Sequence, residues 1–137
     1  MIQYFFEDVD PIEITTKTSE WLTKLITLEE KKVGKINYIF LSDEGLLKIN
    51  RDFLQHDYYT DIITFDYVKG KIISADIFVS LPRISDNAIS HAKDFNSELH
   101  RVLAHGLLHL CGYKDKTDEE KSEMRNKEDF YLNILGF

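Results

Sequence analysis

The stretch from Leu99 to Asp115 constrains this chain more than any other. Leu99, Val102, Leu103, Leu107 and Leu110 recur at helical spacing and form a broad apolar face, so the segment is a helix that must be covered on one side. His105 and His109 stand four apart toward one edge of that face, where both imidazoles can point at the same small cation. Gly112, three residues on, can take the left-handed conformation that ends a helix, and the reversed chain then brings Asp115 back toward the pair. Two neutral imidazoles and one carboxylate suit a borderline cation such as zinc, and other divalent ions fit the same set. Three protein ligands leave one position open, which is the arrangement of a catalytic site.

Two histidines at this spacing on a leucine-rich helix also arise by chance or as ordinary hydrogen-bonded helix residues. The glycine and the carboxylate that follow tip the reading toward one bound ion. A zinc peptidase of this outline places a glutamate directly after the first histidine as general base, and here that place is Gly106. A metallopeptidase therefore lacks its base. An iron oxygenase shares the two histidines and the carboxylate, but nothing else in the chain indicates a cosubstrate pocket.

Around this segment the pattern predicts an α+β fold in a single domain over residues 1–137. Its mixed sheet has about four strands with helices packed on it, and the metal-site helix lies near the C-terminal third. Ile2 to Glu7 reads as a strand. Trp21, Leu22, Leu25, Ile26 and Leu28 give a helix that Gly34 stops, and Lys35 to Leu41 is the next strand. Asp43 and Glu44 open a helix that runs to about Gln55, where acids favour the dipole. Asp61 to Tyr67 and Lys71 to Ser80 form a hairpin through Lys69-Gly70. Pro82 begins a helix with Ile84, Ala88, Ile89, Ala92 and Phe95 as its stripe, and Asn96 or Ser97 restarts the chain into the histidine helix. Thr117 and Glu120 are spaced as a capping box for a last helix ending near Gly136.

No apolar run approaches membrane-spanning length, and Met1 to Asp10 mixes acids with aromatics, so the expectation is a cytoplasmic protein with no membrane partner. The lone Cys111 excludes an internal disulfide and reads as a small buried residue. His100 reads as a surface or packing residue and His91 as a solvated one. The formal net charge of −7 opposes a strong grip on any nucleic-acid backbone and would leave such binding weak and salt-sensitive. Arg51, Lys93 and Arg101 are the first cations to consider for phosphate contacts. For Arg101 the simplest reading is a solvated ion pair with Glu98.

Leu103-Ala104-His105-Gly106-Leu107-Leu108-His109-Leu110-Cys111-Gly112-Tyr113 closely resembles the signature of the YbeY endoribonucleases, metal-dependent rRNA maturation factors. Ile49-Asn50 through Thr60-Asp61-Ile62-Ile63-Thr64-Phe65, Ala75-Asp76-Ile77-Phe78-Val79-Ser80 and Glu123-Met124 through Leu135-Gly136 resemble further parts of that family, which covers the chain from about Ile36 onward. Asp115 stands where the family usually has a third histidine, making the site one unit less positive. The family's active-site arginine falls on Leu54, preceded by Phe53. Arg51, one turn earlier, and His56 are the candidates for its place, with solvated helix-end residues as the other reading of both.

The resemblance implies a metal-dependent, single-strand endoribonuclease acting in 16S rRNA 3′-end processing and ribosome quality control. Zinc would be held by His105, His109 and Asp115, with His105 and Arg51 as the catalytic residues. The implied partners are single-stranded rRNA, the small ribosomal subunit or its proteins, and an Era-type GTPase. Bound zinc either acidifies a water or stabilises a phosphate oxygen, and the residues leave both open. The main rival is a non-catalytic ribosome assembly factor with a structural metal. Thr60, Asp61 and Thr64 are expected near the cleft edge, in strand-capping or site roles.

Overall fold

In the computed structural model, which describes residues 1–135, the chain starts as a β–α–β unit. Strand β1 (Ile2–Phe6) leads to helix α1 (Thr16–Leu28) and back to strand β2 (Lys32–Leu41), which lies parallel to β1 with Ile2 opposite Ile36. Helix α2 (Asp43–Leu54) follows, capped by the Ser42 hydroxyl accepting from the Gly45 N–H at 3.0 Å. Strands β3 (Ile62–Asp66) and β4 (Ile72–Ser80) form the expected antiparallel hairpin, with Gly70 at φ 59 in its turn. Helices α3 (Leu81–Ser90), α4 (Phe95–Leu110) and α5 (Asp118–Leu135) complete the described chain. The strand order is β1-β2-β4-β3, a four-stranded mixed sheet as expected, with β3 as an edge strand.

The sheet's two faces follow from strand alternation. Ile73, Ala75, Ile77 and Val79 of β4 point to one side with Ile36, Tyr38 and Phe40 of β2, and α1, α4 and α5 cover them in the main core. Phe78 points to the other side, where Leu41, Leu46 and Ile63 pack with Ile49 and Phe65 beneath α2. Buried polar atoms pin α4 and α1 in place. The Tyr38 hydroxyl donates to the Leu103 carbonyl at 2.9 Å, and the Trp21 Nε1–H donates to the Tyr131 carbonyl at 2.7 Å.

Three local expectations are corrected. Gly34 does not stop α1, which ends at Leu28 with Glu30 taking φ 62. Gly34 instead sits in β2 at a register shift, where a Cβ would stand 2.2 Å from the Ser74 hydroxyl, so glycine serves a close strand approach there. The α3 stripe stops at Ala88: Ile89 is 80% exposed, and Ala92 has φ 54 in the turn before Asp94 caps α4. Arg101 does not pair with Glu98, as its partners lie on α5.

The capping box forms as read, with the Thr117 N–H donating to Glu120 at 2.9 Å and the Glu120 N–H donating to the Thr117 hydroxyl at 3.1 Å. The expected helix end near Gly136 lies outside the described residues. Among the described residues, no helix is long and apolar enough to cross a membrane.

Candidate metal centre

Helix α4 can lie close against β3 because of Gly106. A Cβ there would stand 3.0 Å from Ile62 Cδ1 and 3.5 Å from Ile77 Cγ2, so the position after His105 faces the sheet. A glutamate base would find no open space at that place. At its C-terminal end the helix closes through paired reverse bonds: the Gly112 N–H donates to the His109 carbonyl at 3.0 Å and the Tyr113 N–H to the Leu108 carbonyl at 3.0 Å. Gly112 takes φ 110, a conformation that favours glycine. The turn brings Asp115 back over the histidines as the spacing predicts.

The three donor atoms converge. His105 Nε2 and His109 Nε2 are 3.0 Å apart, and Asp115 Oδ2 is 3.3 Å from the first and 3.4 Å from the second. Ligands placed tetrahedrally about a cation with bonds of about 2.0–2.1 Å would be separated by about 3.3–3.4 Å, close to the edges of this triangle. The remaining ring nitrogens are already committed. His105 Nδ1 is 2.7 Å from Glu128 Oε2, and His109 Nδ1 is 2.9 Å from the Tyr113 carbonyl. Each acceptor holds a proton on Nδ1 and leaves the Nε2 lone pair for the centre. The residues present therefore fit a small divalent ion. Asp115 remains 40% exposed at its side chain, so the site opens to solvent.

Glu128, which no motif singled out, is the second support of the site. Its carboxylate is nearly buried, accepts from Arg101 Nη1 at 2.7 Å, and binds His105 with its other oxygen; Arg101 Nη2 also reaches Asp129 at 2.6 Å. Burial pulls the His105 pKa down, but the Glu128 hydrogen bond and the Glu128 and Asp115 charges outweigh it, and the net shift is upward. A signal for Glu128 did exist in the sequence. Met124, Tyr131 and Leu135 are the buried stripe of α5, and Glu128 falls in the same register, a carboxylate where an apolar residue is expected.

Two clefts meet at the centre and share Asp61, Ile62, His105 and Asp115. One, of about 490 Å³, is lined also by Asn50, Leu54, His56, Tyr58, Thr60, Thr64 and His109. The other, of about 290 Å³, holds Arg101, Lys121, Arg125 and His91 among its walls. Thr60, Asp61 and Thr64 are thus at the cleft edge. Burial raises the Asp61 pKa, offset in part by His105.

Of the candidates for the family arginine's place, His56 lines the first cleft beside Leu54. Arg51 is 56% exposed, bonded to Asp57 at 2.5 Å, and outside the residues that form either wall. Lys93 is also exposed and away from both walls, whereas Lys121 and Arg125, which the sequence reading passed over, line the second. His100 is a packing residue, buried, with Nε2 2.8 Å from the Thr18 hydroxyl. His91 is exposed, 3.6 Å from Glu98. Cys111 is half-buried, and burial pushes its thiol up to about 11.

The fold and the cluster define an α+β protein with two histidines and one carboxylate gathered at the mouth of a cleft, a group that could hold a metal ion. The family model described as Endoribonuclease YbeY matches residues 4–136, and the chain belongs to that family. It is 51% identical to an Endoribonuclease YbeY of Cytophaga hutchinsonii, over 98% of this chain and 96% of that one. It is also 51% identical to the one of Flavobacterium johnsoniae, over 94% and 93% respectively. The solution structure of TM1509 from Thermotoga maritima superposes with a TM-score of 0.68 at 28% identity, covering 98% of this chain and 89% of that one. The similarity thus reaches well before Ile36, through β1 and α1.

Proposed function

We propose that this protein is a zinc-dependent endoribonuclease that cuts single-stranded rRNA during 16S 3′-end maturation and ribosome quality control in the cytoplasm. Metal-dependent RNA cleavage in rRNA processing is the activity of the family to which the chain belongs. The observation that carries the site assignment is the triangle of His105 Nε2, His109 Nε2 and Asp115 Oδ2 at a solvent-open mouth. A divalent cation held there supplies Lewis-acid chemistry, polarising a phosphoryl oxygen and making water more acidic.

The chain's own residues do the rest. Glu128 and the Tyr113 carbonyl fix both imidazoles in the ligating tautomer. Arg101 pairs with Glu128 and so holds in place the carboxylate that accepts from His105. Lys121 and Arg125, exposed at the start of α5 and with no salt bridge among the described residues, are cations available to RNA phosphates along the second cleft. Arg51 belongs to the proposal as a cation that reaches RNA only by leaving Asp57, while His56 already faces the cleft. With a formal net charge of −7, binding of naked RNA is weak and salt-dependent, and docking on the small ribosomal subunit, with an Era-type GTPase, supplies orientation.

Incubating the metal-loaded protein with a small-subunit rRNA precursor tests this reading. Cleavage near the 3′ end that is lost in His105→Ala and on chelation supports it. Ribosome association with no cleavage by the loaded protein would leave only the docking role.

A further inference from the structure

After α2 ends, Gln55 takes φ 57 and turns the chain back toward β3. The buried Asn50 anchors both sides of that turn. Its carbonyl accepts from the His56 N–H at 3.0 Å, and its Nδ2 donates to the Tyr58 carbonyl at 2.9 Å. The backbone is thus held from inside while the two rings stand outside. They stack on each other with centroids 5.2 Å apart and planes at 20°, joined by a 3.0 Å hydrogen bond between the Tyr58 hydroxyl and His56 Nδ1.

Isolated exposed aromatics need no explanation, but this arrangement differs from scatter. Tyr58 is 55% exposed, its neighbour is also a stacked ring, and both line the same cleft as His105, His109 and Asp115. Each ring turns one face to the other, and both residues are exposed, so the pair offers solvent-facing ring surface to a further plane. The anchored turn means little ordering remains to be done when that plane arrives.

We propose that the His56–Tyr58 pair is a stacking platform for an unpaired nucleobase flanking the phosphate placed at the His105–His109–Asp115 centre. The proposal rests on the endoribonuclease reading above and adds how the strand is gripped. Every base offers a π face, so such a platform tolerates sequence, whereas a base inside a duplex already spends both faces on its neighbours. The pair therefore selects single strands over duplex. It also gives an acidic chain a hold on RNA that does not depend on lysines and arginines.

The test is an abasic scan. A labelled single-stranded RNA spanning the 3′ end of the small-subunit rRNA is prepared with each nucleotide near the cut made abasic in turn. Binding to the zinc-loaded protein is read by anisotropy before cleavage sets in. At one flanking position, base loss weakens binding by about tenfold, the scale of one base–aromatic stack. Tyr58→Ala weakens the intact RNA comparably and removes the abasic penalty at that position, with its metal content unchanged. Tyr58→Trp keeps tight binding.

If Tyr58→Ala does not fold, Tyr58→Trp and the scan on the parent carry the test, and absence of any flanking penalty overturns the platform. Persistence of the penalty in Tyr58→Ala overturns it too, as does binding of intact RNA by Tyr58→Ala within about twofold of the parent. A parent that shows the coupling yet cleaves no RNA overturns the nuclease reading and leaves the platform standing. Cleavage without the coupling does the reverse.

Discussion

Glu128 Oε2 lies 2.7 Å from His105 Nδ1, a bond that spans 23 residues of sequence and joins α5 to the metal-site helix. It decides which imidazole nitrogen carries the proton, and so which one can ligate. The same carboxylate holds Arg101, so site and helix packing share one buried ion pair.

Replacing Glu128 by Gln keeps the shape but removes the charge. Metal affinity should fall by about 10–100-fold, the usual scale for losing the acceptor behind a ligating histidine. Competition with a chromogenic chelator measures it, and excess metal should restore cleavage. An unchanged affinity would show that Glu128 only packs.

Asp115→His puts a third imidazole in the triangle. The variant should still bind metal, because a third imidazole donates as well as a carboxylate does. A neutral ligand leaves the site one unit more positive, so the acidic limb of the pH–rate profile should move to lower pH. A limb that stays in place would mean that Asp115 does not contact the ion.

Burial lowers the His100 pKa below 6.5 despite its bond to the Asn96 carbonyl. The fold thus prefers the neutral ring. Its contribution to stability is fully present above pH 6.5 and is lost as pH falls from there through the lower folded value. With metal chelated in both proteins, the urea midpoint should drop more between pH 7.5 and 5.5 in the parent than in His100→Gln. Equal drops would contradict the assignment.

Gly106→Glu would supply the base that a zinc peptidase needs, but its side chain would have to enter the space held by Ile62 and Ile77. The expected result is a loss of about 2 kcal/mol or more in stability, with no peptide hydrolysis. Thermal unfolding and a casein assay check the two halves.

Sequence reading succeeded where the information is local. The Gly112 turn, the Thr117–Glu120 box and the Lys69–Gly70 hairpin are set by residues a few positions apart, and all three formed. The convergence of Asp115 on the histidines belongs to the same class, since one turn of chain carries it. Gly34 misled because a glycine needed for a close strand approach looks the same as one that ends a helix. Ile89 misled because, though inside α3, it stands about 100° round the axis from the buried Ala88 and so on the solvent side. The Glu128 partnership and the capture of Arg101 by α5 depend on how two helices dock, which no local pattern encodes. The strand order β1-β2-β4-β3 is of that kind as well.

The central claim is that His105, His109 and Asp115 together hold one divalent cation. Elemental analysis of the parent, His105→Ala and Asp115→Ala, purified in parallel and shown folded by circular dichroism, tests it most directly. The account predicts about one ion per parent chain and almost none in His105→Ala, with Asp115→Ala losing most of its metal on dialysis. A folded parent that retains no metal after loading with zinc, or a His105→Ala chain that keeps a full equivalent, would contradict it.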